Sequence, residues 1–251
     1  MKIVELGCVV LVLALTACGT ETTEDLGDEG TTSEPEIVCS ELTAISCEDS
    51  LVQDLSLQES VSVGEVTNER LGAEFVSGVD ATAGGFQQAA SNPWLYVRFT
   101  DAGLEKVEIS DEDSLESMEW HLAAHRFKIR LNGGSSGPSC IGAAAMLEET
   151  YDGLTEVPVG LEYYLDDYYT PDCSMIEDTF GMGSPQLYMS GWWEYPGCVA
   201  TTGTPYFIQL EDGRVVKLVV EAYYESGQEN CNANGSTGSG SANLQWRWRF
   251  M

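Results

Sequence analysis

Two stretches of this chain alternate without a break, and they restrict the fold more than any other feature. In Phe127-Lys128-Ile129-Arg130-Leu131 the apolar residues share one face, and Arg126, Lys128 and Arg130 share the other. In Leu244-Gln245-Trp246-Arg247-Trp248-Arg249-Phe250 the same period puts Leu244, Trp246, Trp248 and Phe250 on a single face. A period of two marks a strand half buried on a sheet and is out of phase with the 3.6-residue repeat of a helix. Other segments read the same way. Leu95-Tyr96-Val97-Arg98-Phe99 is rich in strand formers and follows Asn92-Pro93, and Val107-Glu108-Ile109 alternates. Phe207-Ile208-Gln209-Leu210 and Val215–Val220 flank Glu211-Asp212-Gly213-Arg214, a hairpin signal because Asp-Gly suits a tight turn. Ala143–Thr150 has helix propensity and predicts one short helix. The expected fold is mainly β, an antiparallel sandwich-like architecture with at most one or two short helices.

The beginning of the chain carries a different message. Met1-Lys2 is followed by an apolar run from Cys8 to Leu15 and then by Leu15-Thr16-Ala17-Cys18-Gly19. A charged start, a short apolar run and a small-residue cleavage site make a secretory signal peptide. The apolar run falls short of the roughly 20 residues that a membrane-spanning helix needs. The cysteine after Leu-Thr-Ala resembles the bacterial lipobox, which makes residues 1–17 a lipoprotein signal and Cys18 the lipid attachment site. Gly19 rather than Asp after that cysteine favours the outer membrane. Residues 18–36, largely Thr, Glu, Asp and Gly, read as a flexible acidic stalk, because so little apolar surface cannot offset the entropy of ordering. Residues 37–251 then form a single β-rich domain.

Net charge is −30 at pH 7, and losing residues 1–17 removes one Lys and one Glu, so it stays there. Nucleic acid is excluded as a partner, since binding it requires a basic footprint. Six cysteines lie beyond Cys18: Cys39, Cys47, Cys140, Cys173, Cys198 and Cys231. An even number in an exported chain indicates up to three disulfides, with 15 pairings open. Cys39 with Cys47 is the local candidate.

Several motifs could carry chemistry. Gly133-Gly134-Ser135-Ser136-Gly137 fits the G-x-S-x-G nucleophile pattern, but both histidines, His121 and His125, precede it, and a Gly/Ser turn matches that pattern easily. No enzyme is expected. The histidines are four apart, a spacing that suits a metal pair, yet nothing supplies a third ligand, and a framework role is expected for both. Two aromatic clusters, Tyr163-Tyr164 with Tyr168-Tyr169 and Trp192-Trp193-Glu194-Tyr195, could stack on a flat ligand or fill a core. Tyr168, Tyr169, Trp192 and Trp193 are the candidate ligand-binding residues. Between the clusters lie Met175, Met182 and Met189, whose thioethers can ligate haem iron. Arg126, Lys128 and Arg130, with Arg247 and Arg249, form basic faces that either pair with surplus carboxylates or hold an anionic ligand.

The block from Trp120-His121-Leu122-Ala123-Ala124-His125 through Arg126-Phe127-Lys128-Ile129-Arg130-Leu131 to Asn132-Gly133-Gly134-Ser135-Ser136-Gly137 resembles the signature of HmuY-type haem-binding lipoproteins. A second block agrees with it: Gly191-Trp192-Trp193-Glu194-Tyr195, Pro205 to Gln209, then Asp212-Gly213 through Lys217 to Tyr223-Tyr224. The resemblance covers residues 90–251. It implies a hand-like β fold on the outer membrane, capture of haem or another tetrapyrrole between loops, and hand-off to an outer-membrane receptor. It also implies two axial iron ligands from loops of the later half, histidines or methionines. Here those loops hold no histidine, and Trp192-Trp193-Glu194-Tyr195 runs into Pro196-Gly197-Cys198. Met175, Met182 and Met189 are therefore the haem-iron ligands that the resemblance leaves. The alternative is a non-haem binding or structural lipoprotein on the same scaffold, with a sugar, peptide or protein ligand.

Overall fold

In the computed structural model, which describes residues 39–82, 85–179 and 183–251, the alternating segments become strands of two facing sheets. The larger has six antiparallel strands in the order β1 (Val66–Leu71), β2 (Glu74–Asp80), β12 (Ser241–Phe250), β11 (Val215–Tyr224), β10 (Pro205–Gln209) and β7 (Gly142–Ala145). The smaller runs β4 (Gly103–Val107), β3 (Leu95–Thr100), β5 (Leu122–His125) and β6 (Lys128–Leu131). A short pair, β8 (Trp193–Glu194) and β9 (Ala200–Thr201), two α-helices, α1 (Glu48–Asp54) and α2 (Glu229–Asn234), and three short 3₁₀ segments complete the regular elements among the described residues. The fold is mainly antiparallel β, as the alternation predicts.

The first core lies between the sheets. β12 contributes Leu244, Trp246 and Trp248, and β3 contributes Leu95, Val97 and Phe99. Trp248 meets Phe99 edge-on at 4.9 Å and stacks on Phe75 at 4.7 Å, so one indole bridges the layers. Each such fully buried side chain is worth about 1.5–3 kcal/mol. The Asp212-Gly213 hairpin forms between β10 and β11. Gly213 takes φ 84° there and donates its N–H to the Leu210 carbonyl at 3.0 Å, a conformation that glycine adopts without steric cost.

A second core covers the outer face of the smaller sheet. Trp94, Tyr96, Trp120 and Ala123 meet Leu51 and Leu55 of α1 and its flank, together with Tyr168 and Leu187. β3 is thus buried on both faces, which explains its nearly continuous apolar run.

Arg130 sits inside this second core, fully buried. The sequence reading put it on a basic face that either pairs with surplus carboxylates or holds an anionic ligand, and the structure shows that face covered. Alternation assigned the correct face, but α1 and the 166–169 segment cover it. The guanidinium donates to Ser136 O at 2.7 Å and to Tyr96 Oη at 3.3 Å, and it lies 5.1–5.8 Å from the ring centroids of Trp94, Trp120 and Tyr96. Two buried carboxylates share its field. Asp111 accepts the N–H groups of Trp94 and Gln58, each at 2.9 Å. Asp166 accepts those of Leu131 at 2.9 Å and Tyr188 at 2.8 Å.

Two other expectations are corrected. Residues 142–145 form strand β7, paired with β10 through Ala143 and Ile208, rather than the start of a helix. Helix propensity is a weak prior, and pairing with an open sheet edge overrides it. The disulfides are Cys39–Cys140, Cys47–Cys173 and Cys198–Cys231, not Cys39–Cys47. The N-terminal segment runs across the domain, so its two cysteines meet partners 101 and 126 residues away.

Replacing Arg130 with Met is expected to cost about 3–5 kcal/mol of unfolding free energy, because it strands Asp111 and Asp166 without a counter-charge. Arg130→Met with Asp166→Asn should recover part of that loss. Denaturant unfolding reads both, and an Arg130→Met protein as stable as the parent would show that the guanidinium holds nothing in place.

Candidate ligand-binding site

β5 and β6 are joined by the two-residue turn Arg126-Phe127, with His125 opposite Lys128 in register. Arg126 has φ 55°, in the left-handed region that non-glycine residues seldom occupy, and its N–H donates to Ala81 O at 2.9 Å. A cavity of about 260 Å³ opens at this hairpin tip. The end of α1 forms one wall, with Asp54, Leu55 and Ser56. Phe127 and Ala89 give it apolar surface, and Ser184 closes it from the 169–187 loop. Arg126 and Lys128 bring two cations to the same cavity.

The Cys47–Cys173 disulfide ties the start of α1 to the 169–187 loop, so it links two of these walls. Tyr169 strengthens the link by donating its hydroxyl to Asp54 Oδ2 at 3.0 Å. Within the loop Tyr169 pairs with Met175 and Glu177 with Pro185, and the Asp178 N–H donates to Ser184 O at 2.8 Å.

Burial shifts the titrating groups of this region. It lowers Lys128, with the neighbouring Asp178 carboxylate acting in the opposite direction. His125 packs against Trp94 with the rings tilted and their centroids 5.3 Å apart, and burial pulls it down to about 4. The imidazole is therefore neutral near pH 7, and its Nε2 donates to Ala89 O at 2.7 Å. His121 is equally engaged. Its Nδ1 accepts the Phe99 N–H at 2.9 Å, and its Nε2 faces the Glu211 carboxylate at 3.3 Å. His121 stacks on Phe99 of the first core and His125 packs at a tilt against Trp94 of the second, so the two do not act as a pair.

The aromatics singled out in the sequence stand behind the cavity rather than in it. Tyr168, Tyr169, Trp192 and Trp193 are all buried. Trp192 donates its indole N–H to Phe127 O at 3.0 Å, and Trp193 packs its ring against Phe127 at 4.7 Å. Tyr168 meets Ser136 Oγ at 3.1 Å. They position the hairpin turn and the α1 wall and present no open stacking face. Met189 is sealed in the first core, and Met175 is partly buried against the second. Met182, the signal peptide, Cys18 and the stalk lie outside the described residues. Ser135 and Ser136 are buried in a packed loop, where the Ser135 N–H donates to Asp166 O at 2.6 Å. The sequence reading puts Arg126 and Lys128 on the basic face of a strand that includes Phe127, whereas Arg126-Phe127 is the turn between β5 and β6. Asp54, Ser56, Ala89 and Ser184 were not legible in the sequence, because three remote segments supply them.

A family model described as HmuY protein matches residues 90–234. The chain belongs to the HmuY family. Among solved structures, a HmuY-like protein of Bacteroides vulgatus shares 19% identity, covering 73% of this chain and 97% of that one, with a TM-score of 0.43. The apo HmuY analog of Tannerella forsythia shares 15% identity over 74% of this chain and 97% of its own, with a TM-score of 0.40. No curated protein matches the chain.

His125 and Asp111 oppose each other in their pH dependence. His125 has a folded value of about 4 against an ordinary 6.5. Its contribution is therefore present above 6.5 and is lost as pH falls through 4. Burial pushes Asp111 up to about 6 from 3.8, so its contribution is present below 3.8 and is lost as pH rises through 6. His125→Gln should remove the acid-labile half. Between pH 6.5 and 4.5 it should gain about 2 kcal/mol relative to the parent. Urea unfolding at both pH values checks this, and identical pH slopes for the two proteins would refute it.

Proposed function

We propose that the chain is a cell-envelope lipoprotein that captures a small non-haem ligand at the β5–β6 hairpin tip and catalyses no reaction. In this reading residues 1–17 are its signal, Cys18 carries the lipid, residues 18–36 are the stalk, and residues 37–251 are the binding domain held at the outer membrane. Membership of the HmuY family and the lipobox-like Leu15-Thr16-Ala17-Cys18 support the envelope role.

The family brings haem as the first ligand to test against the side chains. Iron in a haem is held by an imidazole, thiolate or thioether, and in some proteins by a tyrosine phenolate. Among the described residues, both His121 nitrogens are engaged, His125 Nε2 is bonded to Ala89 O, and the six cysteines are in disulfides. Met189 is sealed in the core, and Met175 packs partly against the second core. The cavity of about 260 Å³ is also below the roughly 300–1,000 Å³ of pockets that enclose drug-sized ligands. The described histidines and cysteines do not fit haem. The observation that carries the non-haem reading is that both histidines and all six of these cysteines are already committed to the fold.

Haem titration of the mature chain, followed by absorbance in the oxidised and reduced states, tests this. The expected result is weak, unsaturable binding without sharp low-spin bands. Saturable one-to-one binding with such bands, abolished by Met175→Ala or Met182→Ala, would overturn the proposal and restore haem capture with a receptor downstream.

A further inference from the structure

We infer that the exposed ring of Tyr164, with Glu162 at its rim, docks an arginine side chain presented by a basic peptide segment of a partner protein. This surface lies at the β7 edge of the larger sheet and shares no residue with the hairpin-tip cavity.

Tyr164 is 51% exposed, yet its backbone is fixed. Its N–H donates to Ala143 O at 2.8 Å, and its carbonyl accepts the Ala143 N–H at 2.9 Å. Tyr188 stacks on the ring with centroids 5.5 Å apart and planes 15° apart. Tyr188 is itself held at two points: its N–H donates to Asp166 Oδ1 at 2.8 Å, and its hydroxyl accepts the Ala145 N–H at 3.3 Å. With one face of Tyr164 covered, the other is presented on a rigid support, so little conformational freedom is left to lose when a ligand covers it. The Tyr164 hydroxyl donates to Glu162 Oε2 at 2.9 Å, which sets a carboxylate at the rim of the ring.

An aromatic face with a carboxylate at its rim matches a guanidinium, which is planar, stacks on rings and donates hydrogen bonds along its edge. The fold uses this combination twice internally. Arg247 lies 4.5 Å over Tyr151 and pairs with Asp152 at 2.8 Å, and Arg214 lies 4.6 Å over Phe250 and pairs with Asp212 at 2.6 Å. At Tyr164 the ring and the acid are present, and no ion pair among the described residues engages Glu162. The surrounding sequence supplies no cation: residues 131–213 contain thirteen Asp and Glu and no Lys, Arg or His. A net charge of −30 draws a basic segment toward the chain, so the long-range field and the local chemistry favour the same partner. Lysine fits less well, because its ammonium is compact, strongly hydrated and has no plane to lay on the ring.

Fluorescence anisotropy of the mature chain with a labelled peptide of Gly-Arg repeats and its Gly-Lys counterpart of equal charge tests this. The arginine peptide should bind about fivefold more tightly than the lysine peptide. Glu162→Gln and Tyr164→Leu should each weaken the arginine peptide by about fivefold and remove the difference between the two peptides. Tyr164→Phe keeps the ring and should preserve that difference. Glu69→Gln removes the same unit of charge from β1, at the opposite edge of the sheet, and should leave the preference for arginine intact. Tyr164→Leu also uncovers Tyr188, so its unfolding midpoint is measured beside the titration. Glu162→Gln keeps the hydrogen-bond acceptor and carries the test without that effect. Equal affinity for the two peptides, no binding of either, or equal losses from Glu69→Gln and Glu162→Gln would overturn the arginine assignment. Saturable binding of a neutral oligosaccharide such as maltohexaose, abolished by Tyr164→Leu, would overturn it as well and make the ring a sugar platform.

Discussion

A single buried guanidinium organises one whole side of this protein. Arg130 projects from β6 into a core with no solvent, and its hydrogen bonds reach the carbonyl of Ser136 and the hydroxyl of Tyr96. Burying such an ion costs several kcal/mol, and two hydrogen bonds to neutral groups do not offset that alone. Three aromatic rings and the carboxylates of Asp111 and Asp166 supply the remainder. The carboxylates in turn bind backbone N–H groups of Trp94, Gln58, Leu131 and Tyr188. Four segments distant in sequence are therefore held by one set of charges. An apolar side chain at position 130 could fill the volume but could not orient those segments.

The site depends on that arrangement. Asp166 and Tyr168 bring the 166–169 stretch onto the smaller sheet, which places the 169–187 loop beside α1. The Cys47–Cys173 disulfide and the Tyr169–Asp54 hydrogen bond then keep the two together. In the chain-entropy account a crosslink closing a loop of 126 residues is worth about 5 kcal/mol, close to the whole stability of an ordinary domain. The cavity walls are thus rigid for reasons located outside the cavity. Trp192 and Trp193 do the same beneath the hairpin turn, fixing Phe127 by a hydrogen bond and a ring contact.

Much of this architecture could be read from the residues, and the limits have a common cause. Alternation along 127–131 and 244–250 identified strands and sorted their faces correctly, and Asp212-Gly213 marked its hairpin. Period two states which residues share a face. It does not state whether that face meets water, because the covering segment lies elsewhere in the chain. Arg130 was misplaced for that reason, since its cover comes from α1 and residues 166–169. The disulfide pairing was hidden for the same reason, as Cys39 and Cys47 are neighbours in sequence but anchor different parts of the domain. The Ala-rich segment at 142–145 shows the converse: its local preference was legible, but the free edge of β10 was not. Of the candidate cavity, the basic residues Arg126 and Lys128 stood out in the sequence, but as part of a strand; the turn at Arg126-Phe127 and the walls carried no pattern of their own.

Charge connects the local site to the whole molecule. At −30 the chain surrounds itself with a field that repels any anion at long range, and that field weakens with added salt because the Debye length falls from about 10 Å at 0.1 M to about 3 Å at 1 M. A ligand without net negative charge escapes that repulsion, and a multiply charged anion suffers it in proportion to its charge. Contacts inside the half-buried cavity at the hairpin tip are screened less by salt, so the global acidity acts on the approach of a ligand and the local geometry on its retention.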